Sequence, residues 1–283
     1  MTQSALVDSG IKTLRHGCLT LLGVCLIGLF HPVGARADLV IVSGDEWTLS
    51  NQAFLQNPAS TNAFATNLAN FLGGADYLIY EDAGAVRPYG TAFQSLLGSL
   101  GRTVTVNPAE PFSAALLAPF DAVFLAGSLG SGAANAAVLN SYVQGGGAVY
   151  LSLGTGISAP QEAAAWNPFL NSWGLNAGAA YFPDVLVRDI PTVPGTHPLQ
   201  LGVSALTWGF GQEVTELDSA NPLTEIAITG AFGAPFGDRG MIGVARVSES
   251  GSVVPEPVAF WLWGIGGVLI VLCSRRSLRR VEA

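Results

Sequence analysis

The sequence predicts an α/β body: a doubly wound, mostly parallel sheet with helices on both faces and extra strands late in the chain. Three observations predict it. Short apolar runs alternate with helix-spaced segments from Leu39 to Leu153. The first of them, Leu39-Val40-Ile41-Val42, is a short run apolar from end to end, the mark of a buried strand. Glycines stand where the helical segments stop, at Gly73-Gly74, Gly101 and Gly145-Gly146-Gly147.

Leu39-Val40-Ile41-Val42 is the first strand, and it ends in the polar loop Ser43 to Thr48. Phe54, Phe64, Leu68, Phe71 and Leu72 give helical spacing, strongest from Asn62 onward. Gly73-Gly74 stops that helix because glycine accepts the left-handed cap conformation. Tyr77 to Tyr80 is the second strand. Phe93, Leu96, Leu97 and Leu100 form the apolar face of a second helix, and Thr103 to Val106 is a β-branched third strand. Asp121 to Ala126 is the fourth strand, leaving through Gly127 into the small loop Ser128 to Gly132. Ala133 to Gln144 is an alanine-rich helix with Val138, Leu139, Tyr142 and Val143 on its apolar face. Ala148 to Leu153 is the fifth strand and runs into Gly154-Thr155-Gly156; Ala163 to Trp173 is a further helix. Beyond it the pattern loosens. Val185 to Val187, Ala205 to Trp208, Glu225 to Ile228 and Met241 to Val247 are strand candidates for a sheet edge or a small antiparallel addition.

Composition limits what this body can do. Residues 38–254 hold five arginines, no lysine and 17 acidic residues, a net of −12. Phosphate backbones repel such a surface, so nucleic acid is not an expected partner. All three cysteines (Cys18, Cys25, Cys273) lie near the chain's ends. The body therefore has no disulfide, no thiol nucleophile and no thiolate metal ligand. Its single histidine, His197, cannot form a histidine metal cluster, and no cofactor is expected.

The two ends read as addresses. Lys12, Arg15 and His16 precede an apolar run from Cys18 to Phe30, and Ala35-Arg36-Ala37 offers small residues to a signal peptidase. That is the three-part pattern of a secretory signal, with the mature chain starting at Asp38. At the other end stand Pro255-Glu256-Pro257, the uncharged stretch Val258 to Cys273, and Arg275, Arg276, Arg279 and Arg280. Sixteen helical residues span roughly 24 Å, slightly short of a bilayer core of about 30 Å. Flanking residues and arginines reaching to the headgroups close that gap, and the arginines favour a cytoplasmic C-terminus. Pro255, Glu256, Pro257, the apolar helix and Arg275-Arg276 together resemble the PEP-CTERM sorting signal of Gram-negative bacteria. The resemblance implies cleavage by an exosortase, transient residence in the inner membrane and final placement at the cell surface or outside the cell. The expected division is a signal peptide 1–37, a body 38–247, a linker 248–254 and a sorting signal 255–283.

The body carries a second resemblance. Phe120 to Gly127, a helix, then Gly145 to Leu151 is similar to the glutamine-amidotransferase-like fold, as is His197-Pro198-Leu199 followed by Gly202-Val203. That family implies a flavodoxin-like sheet. Its chemistry needs a Cys at the strand-to-helix elbow, here Leu151 to Gly156, and the body has none, so amidotransferase activity is rejected. Ser152 or Thr155 would need a base, and Tyr150 stands where Gly-x-Ser-x-Gly requires glycine. His197, in Gly195-Thr196-His197-Pro198, reads better as a structurally bonded side chain. No catalytic residue is assigned.

Asp45 and Glu46 follow the first strand, and Glu81 and Asp82 follow the second, at the edge where doubly wound sheets place ligands. They are a candidate loop for a ligand or a hard cation such as calcium, against the plainer role of a solvated or helix-capping loop. Gly127 to Gly132 resembles a phosphate-cradling loop but lacks the Gly-Lys-Ser/Thr ending. Trp47, Trp166, Trp173 and Trp208 have the rings to stack on sugars, yet large aromatics usually fill cores. The expectation is an exported, non-enzymatic surface or matrix protein that has extracellular polysaccharide as a candidate partner. The alternative is a secreted hydrolase using the loops at the carboxyl ends of the strands.

Overall fold

The five strands expected in the first half are present and parallel: β1 Leu39–Ser43, β2 Asp76–Tyr80, β3 Thr103–Val106, β4 Ala122–Ala126 and β5 Ala148–Ser152. Every residue of β1, β4 and β5 is buried, which is why these runs carry no polar alternation. The computed structural model describes residues 38–81, 88–127, 134–155, 158–182 and 186–246. The signal segment 1–37, the linker and the sorting signal 255–283 lie outside the described residues. Contacts divide the chain into Met1–Ala245 and Arg246–Ala283, and the first of these is described here.

Two late strands, β10 Thr224–Ala231 and β11 Asp238–Arg246, complete a seven-stranded sheet in the order β10-β11-β1-β5-β4-β2-β3. The pairs β1/β5, β5/β4, β4/β2 and β2/β3 are parallel, and β10/β11 is antiparallel. Gly44 N donates to Met241 O at 2.9 Å while Gly243 lies against Val42, so β11 runs against β1. The expected mixed α/β body with a mostly parallel sheet is present. The parallel strands, however, run 3-2-4-5-1, whereas a flavodoxin-like sheet runs 2-1-3-4-5. The difference lies in the first connection. It carries a 3-10 turn, Glu46–Leu49, and two helices before β2, and it passes β5 and β4 rather than leading to a neighbouring position.

Those two helices are α1 Asn51–Gln56 and α2 Pro58–Leu72, where the sequence predicted one. Ser50 Oγ accepts from Ala53 N at 3.2 Å and caps α1. Pro58 opens α2, because its missing N–H costs nothing in a first turn. The remaining helices are α3 Thr91–Ser99, the short and unexpected α4 Ala114–Leu117, α5 Ala136–Gln144 and α6 Ala159–Leu170. Phe64 and Leu68 of α2 and Phe93 and Leu97 of α3 share one buried cluster with Ile41, Tyr77, Ile79, Phe124 and Tyr150. The intervening strand residues Val40, Val42, Leu78, Val123, Leu125, Val149 and Leu151 are buried on the other face, as are Leu139, Val143, Trp166 and Leu170 of α5 and α6. Helices therefore cover both faces.

The late region departs most from expectation. β6 Leu175–Phe182 pairs with β9 Gly211–Glu216 and packs on α6; neither strand was foreseen. β7 Arg188–Pro191 pairs with β8 Ala205–Trp208. β7 thus starts later than the expected strand at Val185 to Val187. Of that strand, Val185 lies outside the described residues and Leu186 is 67 % exposed. Pairing with β8 buries Ile190 instead, and that burial sets the strand's position.

Candidate functional site

The carboxyl ends of β1, β2, β4 and β5 share one edge of the sheet, and four acidic side chains are buried there: Asp45, Glu46, Glu81 and Glu162. Asp45 closes β1. Its Oδ1 accepts from Trp47 N at 2.6 Å, capping the 3-10 turn, and its Oδ2 accepts from Gly209 N at 2.6 Å, just past β8. Burial raises its pKa well above the ordinary carboxyl value, and the two N–H bonds pull it back only in part. Both oxygens are engaged by backbone, so Asp45 joins two loops.

Glu162 stands in the first turn of α6. It accepts from Gly154 N at 3.1 Å, from Thr155 N at 3.4 Å and from Gln212 Nε2 on β9. Burial pushes its pKa up to about 7 against these bonds and those from the Thr155 and Tyr181 side chains. One glycine makes room for it, and a second lets the neighbouring loops close together. A Cβ on Gly127, at the exit of β4, would lie 1.9 Å from Glu162 Oε1. Gly154 has φ +77°, and a Cβ there would meet Gly44 O at 2.9 Å and Asp45 Cα at 3.1 Å.

Glu46 is the first residue of the 3-10 turn and is 2 % exposed. Burial, then the charges of Glu162 and Glu81, push its pKa up to about 8, so the three carboxyl groups feel one another. Its Oε2 has no hydrogen-bond partner. Glu81 follows β2, with its backbone N donating to Asn107 Oδ1 at 2.7 Å. Asp82 lies outside the described residues. Beneath the carboxyl groups runs a hydroxyl network. Tyr89 donates to Leu125 O and lies 3.1 Å from Ser152 Oγ, and Thr48 bridges Ser43 (3.2 Å) and Tyr150 (3.4 Å).

The structure separates the residues from which a hydrolase would be built. Ser152 ends β5 on the carboxyl edge and takes its bond from Tyr89. His197 caps a 3-10 turn, Pro198–Gln200: its Nδ1 accepts from Leu199 N at 3.1 Å, its Nε2 lies 3.3 Å from Glu225, and its ring meets Phe71 edge-on. Phe71 is in the last turn of α2, just before β2 begins, so His197 sits at the amino edge. A five-residue strand separates the edges by about 16 Å, far beyond hydrogen-bond reach.

Trp166 and Trp208 are fully buried, with Nε1 donating to Gly127 O (2.9 Å) and Phe182 O (3.0 Å). Trp173 is half-buried and bonds Asn140. These rings are core and joint residues, and Trp47, in the 3-10 turn, is half-buried. Of the suggested phosphate cradle, Gly127 to Gly132, residues 128–132 lie outside the described residues. Among the described residues no three His, Cys, Asp or Glu side chains are placed to hold a metal ion. A groove of about 540 Å³ between β3 and α4, lined by Thr105, Pro108, Glu110, Leu116 and Phe120, contains none of the four carboxyl groups.

Sequence reasoning missed Glu162 and Gln212. One signal was available: an acidic residue in the helix after Gly154-Thr155-Gly156, close to the exits of two strands. Gln212 gave none, because its strand was not recognised. No protein-family model matches this sequence, and no curated protein is similar enough to it to count as a relative.

Proposed function

We propose that this chain is an exported, non-enzymatic surface or matrix protein, sorted and cleaved through Pro255-Glu256-Pro257, the apolar stretch after it and Arg275-Arg276. One observation carries the reading. Pro255-Glu256-Pro257, the uncharged stretch Val258 to Cys273 and the arginines Arg275 and Arg276 follow one another in that order. The acidic, thiol-free composition of the body fits a domain that meets solvent rather than nucleic acid.

The test is localisation and mass. The native chain leaves the inner membrane and yields a mature species that starts at Asp38 and ends near the Pro-Glu-Pro motif. Replacing Arg275, Arg276, Arg279 and Arg280 together by Asn leaves the protein mis-sorted and its C-terminal segment attached. Equal distribution of the two forms, or an uncut mature mass for the native chain, overturns the reading.

A hydrolase reading has one observation in its favour. Glu46 and Glu162 are neighbouring carboxyl groups held near neutral pKa values, about 8 and about 7, as an acid–base pair would require. Against it, Glu162 is committed to three N–H donors, and Ser152 has no base among its described partners. Activity on a panel of glycoside and ester substrates that disappears in Glu46→Gln would reverse the preference.

A further inference from the structure

Glu46 Oε2 and Gln212 Oε1 are both buried acceptors without a hydrogen-bond partner. Glu46 is 2 % exposed and Gln212 0 %. The two side chains leave neighbouring backbone. Gln212 N donates to Gly44 O at 2.7 Å, two residues before Glu46, and Gln212 Nε2 donates to Glu162 Oε2. Native proteins rarely leave such oxygens unmet, so a buried pair beside two further carboxyl groups calls for a donor.

We propose that the carboxyl edge of the sheet holds a binding site for a primary ammonium group, formed by Glu46, Glu162 and Gln212. The surroundings choose among ligand classes. An anion is repelled by Asp45, Glu46, Glu81 and Glu162. An apolar group offers no donor to the two unmet oxygens. A metal ion needs converging ligands, and no three such side chains are so placed among the described residues. A neutral polyol brings O–H donors but no charge to offset the carboxylates. A primary ammonium brings three N–H donors and one positive charge on a single atom. It can bond Glu46 Oε2 and Gln212 Oε1 together, and its charge opposes the carboxylate repulsion that acts on Glu46. Gln212 supplies the neutral acceptor, so the site does not need a further carboxylate. This inference does not rest on the export reading and stands or falls separately.

The experiment titrates the full-length protein, in detergent, with ethylammonium chloride by calorimetry at about pH 8.5, above the value of about 8 to which Glu46 is raised, where the amine keeps its proton. Tetramethylammonium chloride carries the same charge without N–H donors, and potassium chloride controls for ionic strength. Saturable binding of ethylammonium is expected, at least tenfold tighter than either control. Glu46→Gln should weaken it at least tenfold, and Glu110→Gln, an exposed acid elsewhere, should leave it unchanged. No saturation with ethylammonium, equal binding of tetramethylammonium or potassium, or full binding by a folded Glu46→Gln variant overturns the proposal. Should Glu46→Gln fail to fold, the comparison of the three salts on the native chain still decides.

Discussion

Gln212 Nε2 donates to Glu162 Oε2, a bond between residues 50 apart that ties β9 to the first turn of α6. Through Glu162 the same carboxyl group holds the backbone of Gly154 and Thr155. One side chain thus fixes the exit of β5, the start of α6 and the strand laid across them.

Removing that carboxyl group should be costly. Glu162→Ala leaves Gly154 N, Gln212 Nε2 and the more loosely held Thr155 N without their acceptor, and each buried unmet donor costs roughly 1–3 kcal/mol. A loss of about 3 kcal/mol or more is expected in denaturant unfolding. Glu162→Gln keeps one acceptor oxygen and should lose about half as much. A loss below about 0.5 kcal/mol in Glu162→Ala would show that water replaces the carboxyl group freely.

Gly127 is coupled to the same group. Its substitution by Ala places a Cβ 1.9 Å from Glu162 Oε1, an overlap that costs about 1–3 kcal/mol. In the double variant with Glu162→Ala the obstacle is gone. A double-mutant cycle should therefore show a coupling of about 1 kcal/mol or more, the pair being less damaging than the sum. Strict additivity would place the cost of Gly127→Ala elsewhere, in its close approach to Leu153.

The carboxyl groups also set a pH dependence, and its sign follows from direction. Glu46 is raised from the ordinary 4.5 to about 8, and Glu162 from 4.5 to about 7, each first by burial. Asp45 is raised as well. Between the unfolded and folded values the folded chain holds more protons, so stability falls as pH rises. The full contribution is present below about pH 4.5 and is lost through about pH 7 for Glu162 and about pH 8 for Glu46. Each group contributes a slope of up to about 1.4 kcal/mol per pH unit within its window. Unfolding midpoints should drop from pH 5.5 to pH 8.5, and Glu46→Gln should flatten the upper part of the curve. Midpoints that stay level or climb over this range would mean that the carboxyl groups are solvated in the folded chain.

What was legible in the sequence follows from burial. β1, β4 and β5 are buried at every residue and therefore read as unbroken apolar runs between glycines. β6, Leu-Asn-Ala-Gly-Ala-Ala-Tyr-Phe, and β9, Gly-Gln-Glu-Val-Thr-Glu, carry glycine, small and polar residues because they lie over α6 with one side open. Their strand character comes from pairing with each other, which no local pattern records. The site divides in the same way. Asp45, Glu46 and Glu81 were visible because strand ends are visible. Glu162 and Gln212 were not, since their role depends on where α6 and β9 come to rest. The strand order was hidden too, because a connection's length does not say which strand it passes over.

His197 provides the last expectation, and it separates a structural from a chemical role. Its Nδ1 accepts from Leu199 N, its Nε2 faces Glu225 and its ring packs on Phe71. Asparagine can present an acceptor near the Nδ1 position, whereas alanine cannot, and a lost cap costs about 1 kcal/mol. His197→Ala should therefore lose about 1–2 kcal/mol once ring packing is included, and His197→Asn should recover the cap's share. Neither change should alter ligand binding at the carboxyl edge, because His197 lies at the amino edge beside the last turn of α2. Calorimetry of ethylammonium on both variants, beside their unfolding curves, checks the two claims together. Loss of binding in His197→Asn with stability intact would mean that the two edges communicate, and the assignment of His197 to a cap would fail.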